Sequence, residues 1–457
     1  MAAPARRIGL LIATALVLGN MVGSGVFMLP AALAPYGSFS LAGWVISACG
    51  ALLLAGVFYR LAKRAPRAGG PYAYSREAFG DCVGFLVAWM YWVSLVGGNA
   101  AIAVGFASYL SALVPVLGTS PLYGALTALA AIWLLVIVNV AGMRGAGIVQ
   151  ILTTVLKLLP LLALALFGFA RFNPHLLAPG PHAGSPLGAI NLCVAATLFA
   201  FIGVECASIP AGHVRDPEKT IPRATLLGTV IAAIVYIACT TAVMGLVPAA
   251  ELAKSQAPFA DAGRLLWGSS AGWLIAAAAA ISCFGALNGW ILITGQFPQA
   301  VAKDGLFPRL FAQESKRGTP TAALLIGAAV ISVMVLANYS RGMVAMFTFL
   351  MLLSMLGSVV AYLFSAMADV VLAHRSGRPV PWRNPILAGG AFAFSLWAVI
   401  GAGQEAVYWN FVLLMAGIPL YVWRMRHAKA VASPAADATV PGPGVPIASI
   451  AAIAGVD

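Results

Sequence analysis

Apolar runs of about 20 residues recur along this 457-residue chain, and that is the length an α-helix needs to cross a hydrocarbon core of about 30 Å. Backbone polar groups in lipid must be satisfied within the segment, so the runs read as spanning helices. Only 9% of the residues are charged and 61% are hydrophobic, too little polarity to cover a soluble protein. The expected fold is an all-α polytopic membrane protein, with its function inside the bundle.

Breaks at Gly, Pro and charge divide the chain into twelve candidate helices, near 8–34, 40–62, 83–113, 122–141, 146–169, 188–212, 222–246, 268–300, 320–338, 342–373, 385–403 and 406–425. They group as a cytoplasmic N-terminus over 1–7, five helices over 8–169, five over 188–373, a last pair over 385–425 and a flexible cytoplasmic tail over 427–457. Of the 26 Lys and Arg residues, 21 fall in loops and ends of one side, which the positive-inside rule makes cytoplasmic together with both termini. The formal charge of +13 therefore reports topology: the bases sit in short hinges, not in the stripe or arm of a nucleic-acid binder. The start Ala5-Arg6-Arg7 imitates a signal peptide but reads as the lead-in to a retained helix. Six cysteines (Cys49, Cys82, Cys193, Cys206, Cys239, Cys283) lie in or beside apolar segments with no CxxC spacing and read as small buried packing residues. No cofactor and no metal site is expected.

Two helices are interrupted. The first contains Gly19-Asn20-Met21-Val22-Gly23-Ser24-Gly25 and the sixth Phe199-Ala200-Phe201-Ile202-Gly203-Val204-Glu205. Aligning Gly23 with Gly203 also aligns Pro30 with Pro210 at the same offset of 180 residues. Five spans begin with each of these helices, so the two sets run in opposite senses, the pattern of an inverted repeat with broken helices at its centre. Gly19 and Gly23 are also what close helix packing requires, yet the sixth helix lacks the second glycine and carries an acid in its apolar run. Amides freed at such a break bind a carboxylate, and freed carbonyls accept from an ammonium group; a free amino acid presents both.

Of the thirteen acids only Glu205 lies deep in a span, with Asp369 near the end of the tenth helix. An intramembrane carboxylate is a functional candidate, here for proton binding, although backbone amides at the break would also satisfy it. Lys157 is the only deep base; it either snorkels or holds an unwound segment as a bound cation does, and it is a second candidate for proton exchange. In the third helix Tyr91, Ser94, Leu95, Gly98, Asn99 and Ile102 share a face, and Asn99 offers an uncharged amide at mid-membrane. Trp290 lies well inside the eighth helix, where its face packs in the core or against a substrate's alkyl chain or guanidinium.

The segments GNMVGSGVFMLP at 19–30, GGPYAYSREAFG at 69–80, YWVSLVGGNAAI at 91–102, FIGVECAS at 201–208, RDPEKTIPRA at 215–224, GALNGW at 285–290 and KDGLFP at 303–308 resemble the amino acid/polyamine/organocation (APC) superfamily, most closely its bacterial arginine/agmatine antiporter branch. The resemblance runs from about Gly9 to Tyr421. It implies a LeuT-like five-plus-five inverted repeat working by alternating access, as a homodimer in the bacterial inner membrane. By the same resemblance Ser24 and Gly25 receive the substrate carboxylate, and carbonyls of Met21, Phe199 and Ile202 its amino group. Asn99, Trp290 and Ser354 meet the side chain; Tyr91, Glu205 and Tyr362 form an outer gate, with Glu205 the acid sensor. Departures from the branch are Phe199 for a tryptophan, Ser94 and Leu95 for alanine and cysteine, and Ile102 for methionine. Lys157 looks like the fifth-helix lysine of other members, which stands in place of a sodium ion.

The expected activity is exchange of amino acids and polyamines, arginine for agmatine first among the pairs, with a proton-coupled amino acid permease as the alternative. A channel would need a polar stripe through the membrane and an enzyme convergent nucleophile, base or metal ligands; neither pattern is present in the sequence.

Overall fold

A computed structural model describes residues 9–64, 69–141, 158–180, 184–205, 216–315, 318–377 and 379–432. Its helices are α1 (Leu10–Met21), α2 (Ser24–Leu33), α3 (Phe39–Arg64), α4 (Pro71–Phe79), α5 (Asp81–Leu113), α6 (Pro121–Ala141), α7 (Leu158–Arg171), α8 (Pro186–Phe199), α9 (Pro217–Met244), α10 (Ala249–Leu252), α11 (Pro258–Trp267), α12 (Ser269–Lys303), α13 (Thr321–Asn338), α14 (Met343–Arg375), α15 (Arg383–Gly401) and α16 (Gln404–Ala432). No strand occurs among the described residues. Nine of these helices are long and apolar enough to cross a membrane.

Polar side chains are buried within a largely apolar core, and large apolar side chains also face outward. Ser24, Ser94, Asn99, Asn139, Glu205 and Ser354 are buried, whereas Ile137 on α6, Ile234 on α9 and Ile400 on α15 are each more than 60% exposed. Such a distribution would be unstable in water and fits hydrocarbon, where internal polar groups must find partners and outward faces need none.

The centre is built on α5 and α14, each 33 residues and so about 50 Å long, more than the hydrocarbon core requires. Small residues let them touch. A Cβ placed on Gly357 would lie 2.8 Å from the carbonyl oxygen of Met90, and one on Gly97 would lie 3.4 Å from Ser354 Cβ. α12 packs along α5, while α3 packs against α8 and α9. At the outer flank α8 and α15 are closer still: a Cβ on Gly401 would fall 1.7 Å from the carbonyl oxygen of Asn191, so only glycine fits.

Some expectations need correction. Two short helices, α4 and α11, occupy segments expected to be loops. Both start with proline at a first-turn position, a legible helix-start signal, and both bury one face. Phe259 of α11 meets Phe27 of α2 edge-on at 5.2 Å, which lays α11 over the second half of the broken helix. α16 continues through Ala432, past the expected tail boundary at 427. Cys49 and Cys82 are exposed, since they fall on outward faces of their helices; Cys193, Cys239 and Cys283 are buried. The start of the fifth candidate helix, Cys206, Pro210, residues 1–8 and the tail from 433 lie outside the described residues.

Candidate substrate site

α1 ends at Met21, and the helix resumes only at Ser24. Val22 leaves helical geometry at φ −75°, ψ 86°, and Gly23 is extended at φ −118°, ψ −152°. Gly and Ser are weak helix formers, and placing Gly23-Ser24-Gly25 here lowers the cost of the interruption. The amides of Ser24, Gly25 and Val26 open α2, a position without intrahelical acceptors, and no side chain caps them. Ser24 itself is fully buried, and its hydroxyl has no hydrogen-bond partner among the described residues. It rests on Gly105 of α5, where an added Cβ would come 2.5 Å from Ser24 Cβ.

α8 stops at Phe199. Beyond it the Phe201 N–H donates to the carbonyl of Leu198 at 2.9 Å and the Ile202 N–H to that of Phe199 at 3.2 Å. Gly203 takes φ +108°, a value that favours glycine, and ends the regular turn. The two interruptions touch: a Cβ on Gly25 would lie 3.2 Å from the Phe199 ring and 3.5 Å from Ala200 Cα. Amide donors of one helix start thus face the carbonyl end of the other.

A narrow pocket opens between them, with about 410 Å³ of non-atom space when the open solvent at its mouth is included. Met21, Gly23, Ser24 and Gly25 line it from the first break, and Phe199, Ala200 and Ile202 from the second. Ser94, Leu95, Gly98 and Ile102 of α5 form a wall that Trp290 of α12 and Ser354 of α14 complete. None of these side chains is ionisable. Ser354 donates to the Ser94 carbonyl at 2.8 Å, and the hydroxyls of Ser94 and Ser358 lie 2.6 Å apart.

The carbonyls expected to take an amino group keep acceptor capacity. That of Met21 accepts the Gly23 N–H at 2.9 Å, and that of Phe199 the Ile202 N–H; each oxygen has a second lone pair.

Asn99 is placed differently from expectation. It does not line the pocket: at 100° per residue it lies about 60° beyond Ile102 around α5 and faces α12. Its amide nitrogen donates to the Leu95 carbonyl at 2.9 Å and to Thr294 Oγ1 at 2.8 Å. Lys157 lies outside the described residues. Sequence reasoning missed Gly105, although its spacing of seven from Gly98 and three from Ile102 puts it on the same face, and it missed Ser358, one turn from Ser354.

Beside the pocket, Glu205 is buried at 1% exposure and gathers three donors. Tyr91 donates to Oε1 at 2.5 Å, Tyr362 to Oε2 at 2.8 Å, and the Gly203 N–H to Oε2 at 3.3 Å. One carboxylate so ties α5, α14 and the second break together.

The helix directions settle which end of the pocket this closes. Tyr91 lies nearer than Ser94 to the Asp81 end of α5, and Tyr362 nearer than Ser354 to the Arg375 end of α14. Those ends belong to the basic face. The Tyr91–Glu205–Tyr362 cluster, expected on the outer side, therefore lies toward the face rich in Lys and Arg.

Further bonds close the same face. Asp369, 2% exposed, accepts from Arg60 Nε at 2.8 Å and pairs with Arg64 at 2.5 Å, joining α3 to α14. Tyr72 of α4 donates to Asp304 at 2.8 Å; burial, then the Asp304 carboxylate, push its phenol well above the usual range.

Residues 8–424 match the amino acid permease family. The chain belongs to that family. The permease is 37% identical over 329 residues to the cadaverine/lysine antiporter of Escherichia coli strain K12, covering 71% of this chain and 73% of the relative. It is 32% identical over 427 residues to the putrescine transporter PotE of Haemophilus influenzae, covering 92% and 98%, and 30% identical over 424 residues to PotE of E. coli K12, covering 92% and 96%. The permease is a multi-pass membrane transporter of the APC superfamily, near the arginine/agmatine type, and not an enzyme.

Proposed function

We propose that the permease exchanges a cationic amino acid for its decarboxylated amine by alternating access, arginine for agmatine being the pair its motifs favour. The observation that carries this reading is the fully buried Ser24 hydroxyl, without a hydrogen-bond partner among the described residues, at an uncapped helix start facing the carbonyl end of α8 across the pocket. Donors on one wall suit a carboxylate and acceptors on the other suit an ammonium group. Ser24 and Gly25 hold the carboxylate; the Met21, Phe199 and Ile202 carbonyls hold the amino group; Trp290 and Ser354 meet the side chain. Asn99 acts from behind Thr294, setting the α5–α12 wall.

The architecture behind this reading is twelve spans, with an inverted repeat of 8–169 on 188–373, helices 11 and 12 over 385–425, and both termini cytoplasmic. The protein is placed as a homodimer in a bacterial inner membrane. The Tyr91–Glu205–Tyr362 cluster is then an inner gate, with Glu205 as its acid sensor, and Lys157 fills a cation's place in the fifth helix.

A second substrate pair, lysine for cadaverine or ornithine for putrescine, is favoured by Phe199. A benzene ring holds a guanidinium less well than an indole, and the relatives are described by cadaverine, lysine and putrescine.

Counterflow of labelled arginine or lysine into proteoliposomes preloaded with arginine, agmatine, lysine, cadaverine, putrescine or a neutral amino acid separates the pairs. Exchange requires a substrate inside; uptake into empty vesicles driven by an imposed pH gradient would instead support the proton-coupled permease. Phe199→Trp is expected to raise preference for guanidinium over primary-amine substrates about 2- to 30-fold, from about 0.5–2 kcal/mol of added cation–π attraction. An unchanged ratio in competition counterflow would remove that argument.

A further inference from the structure

A second cavity lies on the far face of α5 from the pocket. It has about 1040 Å³ of non-atom space, and all of its lining is apolar. Trp89 and Trp92 of α5, Phe311 after α12, Val330 of α13 and Leu413 and Leu420 of α16 are representative. Aromatic rings stiffen its wall: Trp89 and Trp92 are 5.5 Å apart, and Trp92 meets Phe311 edge-on at 6.1 Å. The Trp89 indole N–H is already satisfied by the Leu413 carbonyl at 2.7 Å.

The groove becomes basic at one end. On α16, Leu413, Gly417, Leu420 and Arg424 are spaced four, three and four, so Arg424 continues the groove-lining stripe toward the basic face. A Cβ on Gly305 would lie 3.5 Å from Arg424 Nη2, which puts that guanidinium at the turn after α12. Arg309 follows Pro308, itself part of the lining, and is exposed. Neither arginine makes an ion pair or hydrogen bond among the described residues, whereas nearby Lys303 is paired with Glu314.

We infer that this groove is a specific site for an anionic phospholipid, one acyl chain lying along the aromatic wall and the phosphate held between Arg309 and Arg424. Hydrocarbon suits a wall whose side chains are apolar apart from the Trp92 indole N–H, which is buried without a hydrogen-bond partner among the described residues, and the two guanidiniums supply the anion site at headgroup level. A second copy of the chain fits less well, because twofold docking would bring like charges to the same edge.

Native mass spectrometry of the full chain, in detergent with equimolar phosphatidylglycerol and phosphatidylcholine, tests the assignment. Phosphatidylglycerol is expected to be retained preferentially. Arg309→Gln with Arg424→Gln should weaken its retention roughly 10- to 30-fold, from the usual attraction per basic residue at an anionic surface. Val330→Trp, with both arginines intact, should also reduce retention by filling the groove, and dihexanoyl phosphatidylglycerol, with the same headgroup on short tails, should not displace the bound lipid. Undiminished retention in either variant, or equal competition by the short-chain lipid, overturns the inference. So does a Val330→Trp protein whose oligomer mass changes while lipid retention does not, since the groove would then be an interface between copies.

Discussion

Gly105→Ala is expected to lower substrate binding by at least tenfold, and Ser24→Gly in the same chain to relieve the clash. The added methyl would lie 2.5 Å from Ser24 Cβ, a separation no packed pair of carbons tolerates, so α2 must tilt away from α5. Overpacking of this kind costs about 1–3 kcal/mol. It also displaces the Ser24 hydroxyl and the amides beside it, and a hydrogen bond to a charged group is worth about 1.5–3 kcal/mol.

With glycine at 24 the methyl at 105 meets nothing nearer than Met28 Cγ at 3.6 Å, an ordinary contact. The double variant should therefore bind no worse than Ser24→Gly alone. Equilibrium binding and counterflow would read this out. Full binding by Gly105→Ala, or a double variant worse than both single ones, would show that Ser24 is not held where the substrate needs it.

Glu205→Ala should open the basic face of the pocket and remove acid dependence from transport. The carboxylate accepts from Tyr91, Tyr362 and the Gly203 amide, and both tyrosines are fully buried. Its loss removes one charged hydrogen-bond acceptor from each phenol, at about 1.5–3 kcal/mol apiece, so the closed arrangement loses about 3–6 kcal/mol relative to the open one. Shifts of that size invert a two-state population.

Protonation acts in the same direction, because a carboxylic acid turns one acceptor into a donor facing donors. Acid should loosen the gate in the wild type and leave Glu205→Ala unaffected; Glu205→Gln, shaped like the acid form, should behave as permanently acidified. Amide hydrogen exchange over 88–94 and 359–365 should rise in Glu205→Ala. Unchanged exchange together with a preserved pH profile would remove Glu205 from the gate.

The long apolar runs were legible because hydrophobicity alone sets membrane spans, and so were both interruptions, because Gly-Ser-Gly and a mid-span acid contradict the helices around them. The second wall of the pocket was legible through helical periodicity at Ser94, Leu95, Gly98 and Ile102. Asn99 lies off the lining by a rotation of only about 40° from Leu95, a difference that depends on which neighbour, here Thr294, offers a better partner. The side on which Tyr91, Glu205 and Tyr362 meet was contained in the helix order, but only tracing α5 and α14 end to end exposed it. Gly105 could be placed on the pocket face of its helix by spacing, but nothing in a lone glycine says which side chain will lean on it. α4 and α11 were lost because nine or ten residues are too few for a span and hydropathy was the ruling signal.

The side chains that line the pocket carry no formal charge, so with Glu205 beside it held in one protonation state the charge moved in a cycle is set by the cargo. A cycle that moves a monovalent amino acid one way and a divalent amine the other transfers one net charge across the bilayer. Voltage then acts on the cycle at about 2.3 kcal/mol per 100 mV, and the cell's electrical gradient becomes a driving force for expelling the amine or a load against it, according to polarity.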